Sequence, residues 1–251
     1  MGKEVTFDFS SQRFVVLGAS SGLGQQIASE IIECGGTILA IARNKERLDA
    51  LKQGQNEVYT AVADVRDRIA LESVIKDFAE SHGKFHGSVY TAGISKTTVL
   101  KAFSEEDAKE IMDINFWGWI NIMNILCKKR YTEDGCSHVV ISSVSPRKGE
   151  SGAFAYNASK ASIDTGVRTF AKELAKRKCR VNSISPGFVD TGLSDGYFSE
   201  RGFSERIIKK HLLGLGKAED VSGLALFLLS ERAGWMTGTD IVIDGGYLVS
   251  D

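Results

Sequence analysis

A chain of 251 residues, 43% hydrophobic and 25% charged, has material for one α/β domain of ordinary size. Its formal net charge of −1 excludes the global basic field that nucleic acid or an anionic membrane would attract. The opening MGKEVTFDFSSQRF carries acids and no long apolar run, no stretch approaches the ~18 residues of a membrane helix, and Cys34, Cys127, Cys136 and Cys179 form no CxxC pair, so the expectation is a cytoplasmic protein with reduced cysteines.

FVVLG, from Phe14 to Gly18, reads as a short buried strand. A helix follows over about Gly22 to Cys34, with Ile27, Ile31 and Ile32 on its apolar spacing and Gly35-Gly36 as its stop. TILAIAR is the second strand, KERLDALKQ a short polar-faced helix, and EVYTAVADV the third strand. RIALESVIKDFAESHG is an amphipathic helix closed by Gly83, and GSVYTAG the fourth strand. SEEDAKEIMDINFWGWINIMNILCKKRY reads as one long helix, with Ser104 as N-cap and acids in the first turn. SHVVISS is the fifth strand, a helix runs from about Tyr156 to Lys178, and CRVNSIS is the sixth strand. AEDVSGLALFLLS gives a last helix and TDIVIDGG the seventh strand. The alternation predicts an α/β, Rossmann-type, doubly wound fold: a seven-stranded, mostly parallel sheet in a single domain over 1–251. Thr191 to Gly214 interrupts this rhythm, with an apolar pattern at Ile207, Ile208 and Leu212, and reads as a substrate lid.

The first strand runs into GASSGLG, Gly18 to Gly24, and then a helix. Glycines there let the backbone approach a pyrophosphate, and the helix N-terminus supplies N–H donors. An acid ~20 residues on, at the end of the second strand, would accept ribose hydroxyls and favour NAD. That position holds Ala42 and Arg43 instead, and Arg43, with Lys45 or Arg47, suits the 2′-phosphate of NADP(H). Asp64, ending the third strand, is a candidate acceptor for an adenine amino group, and equally a capping aspartate.

In SGAFAYNASKAS, Tyr156 and Lys160 lie one helical turn apart among small residues. A nearby ammonium favours a phenolate, so the pair can move a proton to or from a carbonyl oxygen. Ser143 ends the preceding strand, where ligands of open α/β sheets bind. Asn115, flanked by Ile114 and Phe116, is a polar residue in an apolar helix and invites a polar task, such as holding a water near Lys160. His82, His86, His138 and His211 form no ligand set, so no metal is expected. Trp117 and Trp119, two apart, must face different ways, one to the core and one to a subunit interface.

Together these residues resemble the short-chain dehydrogenase/reductase family over about Arg13 to Gly246. The glycine turn is Gly18, Gly22 and Gly24; the adenine-site aspartate matches Asp64; the tetrad matches Asn115, Ser143, Tyr156 and Lys160; Pro186-Gly187 and the late DGG at Asp244 to Gly246 also match. The family's NNAG motif matches only in Ala92-Gly93, with Tyr90-Thr91 in place of two asparagines, and its TG opening is Leu17-Gly18. The resemblance implies catalysis by the tetrad. It also implies cofactor contacts from Gly18, Ser20, Ser21, Gly22, Leu23, Gly24, Arg43, Asp64, Val65, Ala92, Gly93, Tyr156, Lys160, Pro186, Gly187, Val189 and Thr191. It further implies an NADPH-dependent carbonyl reductase and a homotetramer. The chain is most like the 3-oxoacyl-(acyl-carrier-protein) reductase branch, with Lys128-Lys129-Arg130 and Lys172 as a basic patch for an acidic carrier. A reductase of a sugar, polyol, steroid or other small ketone is the alternative, and a non-catalytic dinucleotide-binding sensor or scaffold is the alternative of another class.

Overall fold

The computed structural model describes residues 5–52, 54, 57–191 and 203–250. Seven strands form one sheet in the order β3-β2-β1-β4-β5-β6-β7, and every neighbouring pair is parallel. They are β1 (Arg13–Leu17), β2 (Thr37–Ala42), β3 (Val58–Val62), β4 (Phe85–Tyr90), β5 (Thr132–Ile141), β6 (Arg180–Pro186) and β7 (Asp240–Ile243). The helices are α1 (Gly22–Glu33), α2 (Lys45–Lys52), α3 (Arg68–His82), α4 (Glu105–Met112), α5 (Gly118–Leu126), the single turn α6 (Ser145–Lys148), α7 (Phe154–Leu174), α8 (Phe203–Lys210) and α9 (Ala218–Leu229).

The continuous apolar runs of β1 and β2 follow from burial on both faces. Val15 and Leu17 point into one core with Leu71, Ile75 and Phe78 of α3, Ile122 of α5, and Ile163 and Val167 of α7. Phe14 and Val16 point into the other with Ile27 and Ile31 of α1 and with Val221, Ala225 and Leu228 of α9. The strand order reverses direction between β1 and β4, the switch point at which open α/β sheets bind ligands.

The stretch read as one long helix divides. α4 is capped by Ser104, whose Oγ accepts the Asp107 N–H at 3.1 Å, as the sequence predicts. The chain then widens into a π-helical turn over Asp113–Trp117, where the Gly118 N–H bonds back to the Asp113 carbonyl. Propensity alone does not reveal such a turn, because each residue within it is helical in φ and ψ. Trp119 is buried and Trp117 half exposed, as their spacing requires. Residues 192–202 of the lid segment lie outside the described residues. Its described part includes α8, where Ile207 is buried while Ile208 and, beyond the helix, Leu212 stay exposed, so the predicted apolar pattern does not form one buried face.

Two helical glycines separate packing from propensity. A Cβ on Gly166 of α7 would lie 2.5 Å from the Trp119 ring, whereas one on Gly223 of α9 meets nothing within 4 Å. Gly223→Ala is therefore expected to stabilise the fold by about 0.5–1 kcal/mol. Gly166→Ala should destabilise it by about 1–3 kcal/mol, because overpacking outweighs the same propensity gain. Urea denaturation midpoints of the two variants check the opposite signs.

Candidate active site

The carboxyl ends of β1, β2, β3, β4, β5 and β6 open onto one cleft of about 690 Å³. Its walls include Gly18, Ser20, Ser21, Gly22, Leu23, Gly24, Arg43, Asp64, Val65, Ala92, Gly93, Ser143, Tyr156, Lys160, Pro186, Gly187, Val189 and Thr191. Of the residues singled out in the sequence as catalytic or cofactor-binding, Asn115 and Lys45 are absent from that lining; Asn115 is fully buried just behind it.

At one end lies the glycine turn. Gly18 has φ +84°, and a Cβ there would come within 2.6 Å of the Thr91 hydroxyl and 2.7 Å of the Ala92 nitrogen. A Cβ on Gly24 would lie 2.3 Å from the Gly18 carbonyl. Only glycine permits these approaches. The departures from the family motifs acquire a physical account here. Thr91 donates its hydroxyl to the Leu17 carbonyl at 2.8 Å and its N–H to the same carbonyl at 2.9 Å, so it braces the turn that opens with Leu17. Tyr90 donates its hydroxyl to the Ile114 carbonyl and ties β4 to the π-helical turn. Burial raises the Tyr90 phenol above its ordinary value, so it remains a neutral donor.

The first turn of α1 has no acidic residue, and Ser21, its N-cap, makes no side-chain cap bond. Its leading N–H groups therefore face the cleft with their positive end unmasked, the setting that receives a diphosphate. At the end of β2, Arg43 and Arg47 line the cleft beside Ala42. Lys45 is paired with Asp49 at 2.6 Å and does not line it. The Arg66 guanidinium grips Asp64 at 2.6 and 3.0 Å, and with a smaller contribution from Arg43 holds its carboxyl below the usual carboxylate range. A dinucleotide fits these residues: a tight glycine turn, an open helix N-terminus, and cations at the adenosine end.

At the other end stand Tyr156, Lys160 and Ser143. Lys160 Nζ lies 5.7 Å from the centre of the Tyr156 ring and donates to the Ile141 carbonyl at 2.8 Å. The residue is 5% exposed, and burial brings its pKa down to about 8. Ser143 Oγ accepts the Ser145 N–H at 3.1 Å, which leaves its own hydrogen for another acceptor.

Asn115 braces the site from behind. Its Oδ1 accepts the Ile94 N–H at 2.8 Å, and its Nδ2 donates to the Ile94 carbonyl and to Ser159 Oγ, both at 3.0 Å. Ser159 in turn donates to the Tyr156 carbonyl at 2.7 Å. The amide thereby fixes the helical turn that carries Tyr156. A Cβ on Gly93 would meet Asn115 Oδ1 at 3.3 Å and Lys160 Nζ at 3.6 Å, so Gly93 keeps the two groups close.

The sequence reading did not single out Glu150 and Phe188, which also line the cleft, or Tyr247, buried next to Phe188. They carry no motif and meet only through the loops after β5, β6 and β7. His211, assigned to the lid, is buried, with Nε2 accepting the Phe188 N–H at 3.1 Å. Gly187 is shaped by the same contact, since a Cβ there would sit 2.9 Å from His211 Nε2. His138 is a satisfied core histidine, 2.7 Å from Ser88 Oγ, and burial lowers its pKa to about 4. No group able to hold a metal ion occurs among the described residues.

Comparison with known proteins agrees with this geometry. The sequence model of the enoyl-(acyl carrier protein) reductase family matches residues 18–248. The 3-oxoacyl-(acyl-carrier-protein) reductase FabG of Thermotoga maritima is 31% identical, over 94% of this chain and 97% of its own. The L-xylulose reductase of Caenorhabditis elegans is 29% identical, over 96% and 97%. A short-chain type dehydrogenase/reductase from Mycobacterium ulcerans superposes with a TM-score of 0.91 at 27% identity, covering 97% of this chain and 92% of its own. The chain belongs to the short-chain dehydrogenase/reductase family of oxidoreductases. The family's cofactor is a nicotinamide dinucleotide, and its chemistry interconverts carbonyls and alcohols. Among the described residues, no helix is long and apolar enough to cross a membrane.

Burial of the Lys160 ammonium has a measurable consequence. A fall from 10.5 to about 8 corresponds to about 3 kcal/mol at ~1.4 kcal/mol per pH unit. Below pH 8 the group is charged in both folded and unfolded chains, and the folded state bears the full penalty. Between 8 and 10.5 the unfolded chain binds more protons, so stability rises with pH and the penalty disappears. Lys160→Met, which also gives up the bond to Ile141, should be more stable than the parent by about 1–2 kcal/mol at pH 6–7. That advantage should vanish by pH 10, as read from urea denaturation at each pH.

Proposed function

We propose that the protein is an NADPH-dependent oxidoreductase that reduces a carbonyl to an alcohol, with Tyr156 as general acid. The observation that carries this reading is the Tyr156–Lys160 pair, placed with Ser143 at the end of β5 on the same cleft as the glycine turn. The bound dinucleotide supplies the hydride. Tyr156 gives its proton to the carbonyl oxygen as negative charge develops there. The Lys160 ammonium lowers the cost of the phenolate that remains. Ser143 donates a hydrogen bond to the same oxygen and orients the substrate. Asn115, through Ser159, holds Tyr156 in place. The glycine turn and α1 would hold the diphosphate, Asp64 and Val65 the adenine, and Pro186, Gly187, Val189 and Thr191 the nicotinamide.

Arg43 and Arg47 support NADPH over NADH, since a 2′-phosphate gains a bidentate partner and no carboxylate competes at the end of β2. Arg43→Ala is expected to weaken NADPH at least tenfold and leave the Kd of NADH within about threefold, as measured by cofactor fluorescence.

Two substrate classes follow from the relatives' names, a carrier-bound 3-oxoacyl thioester and a small hydroxy ketone. One observation favours the second. Lys128, Lys129 and Arg130, the proposed carrier patch, are paired with Glu72 and Asp134 at 2.6 to 3.1 Å. They also precede β5, about 20 Å from the cleft at that strand's far end, since Thr132 lies level with Phe85 and Val140 with Tyr90. We place the protein in the cytoplasm. We assign the subunit contacts of a homotetramer to exposed Trp117 and to the exposed Phe103–Phe154 pair.

Tyr156→Phe is expected to keep NADPH binding and to lose reduction by three orders of magnitude or more. The assay is NADPH oxidation with acetoacetyl thioester, keto-sugars and diketones. NADPH binding by the parent without oxidation in any of these would leave the sensor or scaffold reading in its place.

A further inference from the structure

We propose that Glu150 is a specificity-determining residue of the substrate site, favouring carbonyl compounds that carry a hydroxyl or ammonium group beside the carbonyl and disfavouring those with a carboxylate or phosphate there. The inference rests on the reductase reading above and names its substrate class.

Glu150 precedes Tyr156 by six residues, in the loop between α6 and α7, and lines the same cleft as Ser143, Tyr156 and Phe188. The loop is pinned from three sides. Asn157 Nδ2 donates to the Glu150 carbonyl at 3.3 Å, Ser145 Oγ donates to Asn157 Oδ1 at 2.6 Å, and the Thr98 N–H donates to the Gly152 carbonyl at 2.6 Å. The carboxylate is pinned as well. Its Oε1 accepts the hydroxyl of Tyr247, a residue 2% exposed and stacked on His211 with ring centres 4.6 Å apart. His211 cannot turn, since Nδ1 bonds to the Ile207 carbonyl at 2.7 Å while Nε2 accepts the Phe188 N–H.

Among the described residues Glu150 Oε2 makes no hydrogen bond and no cation pairs with the carboxylate, and the atom is not sealed from solvent. Hydride transfer to a carbonyl has no use for this second acid. A fixed carboxylate with one oxygen already satisfied offers the substrate one acceptor and a negative charge. A hydroxyl or ammonium donor satisfies it through a charge-assisted bond. A substrate anion meets an uncompensated like charge, so the residue selects by repulsion as well as by attraction. Tyr247 acts through Glu150 and is a positioning residue.

The test uses four matched methyl ketones differing only in one substituent: aminoacetone, hydroxyacetone, 2-butanone and acetoacetate. For the full-length enzyme with NADPH, kcat/KM should fall in that order. Glu150→Gln keeps the size and an acceptor for Tyr247. It should cut the aminoacetone to 2-butanone ratio at least tenfold and raise the acetoacetate to 2-butanone ratio at least tenfold, mainly through KM. Tyr247→Phe should keep the charge order and raise KM for aminoacetone and hydroxyacetone. A charge order unchanged in Glu150→Gln, no order among the four in the parent, or reduction of a thioester with none of the four reduced overturns this proposal and leaves the reductase standing. Failure of every carbonyl compound, thioester included, to support NADPH oxidation overturns both.

Discussion

A buried ammonium sets the terms for the rest of this molecule. Lys160 sits in the seam between β5 and α7 with the Ile141 carbonyl as hydrogen-bond acceptor, and burial alone draws its proton affinity down toward neutrality. A group so placed is unfavourable unless neighbouring charge or a ligand answers it. The phenol of Tyr156 stands one turn away, and the cleft opens beside both. The local destabilisation is thus placed where a reaction can use it, and the rigid sheet and helices around it keep the lysine from reaching solvent. Stability and reactivity draw on the same atom here, which is the usual signature of a functional site in an otherwise consistent fold.

The sheet supplies that rigidity. With both faces covered, its open backbone lies along the two edge strands and at the strand ends, and parallel strands all end on the same side. Every side chain of the reactive cluster is therefore a strand-end or helix-start residue. Asn115 is the exception and acts from behind. Its bonds to Ile94 and Ser159 join the loop after β4 to the helix that carries Tyr156. Thr91 and Tyr90, where relatives of the same motif place asparagines, rebuild the bracing by other bonds, to Leu17 and Ile114. The turn tolerates new side chains because what it requires is a donor aimed at a carbonyl.

The alternation of strands and helices, the glycine turn and the Tyr-Lys spacing were legible in the sequence because each follows from a local rule: periodicity, backbone clearance, one helical turn. The cap at Ser104 obeys the same kind of rule. What was not legible depends on contacts between distant loops. Glu150, Phe188, His211 and Tyr247 come together from four separate segments, and no spacing announces them. The bracing bonds of Asn115 were not legible for a related reason. Its burial and polarity were readable, but its partners belong to a loop and a helix whose approach only the fold determines. The pairing of Lys128, Lys129 and Arg130 with Glu72 and Asp134 is likewise a tertiary fact.

The π-helical turn at Asp113–Trp117 makes α4 and α5 two rods with a fixed angular offset, as a gear is keyed to its shaft. An α-helix advances about 100° per residue, so one residue removed from that turn would rotate all of α5 by this amount. Trp119 would leave its seat against Gly166 and Phe170, and Ile122 would leave the core that backs α3. The phase of a whole helix, and with it the wall behind the reactive tyrosine, is carried by five residues whose irregularity looks like a defect and acts as a key.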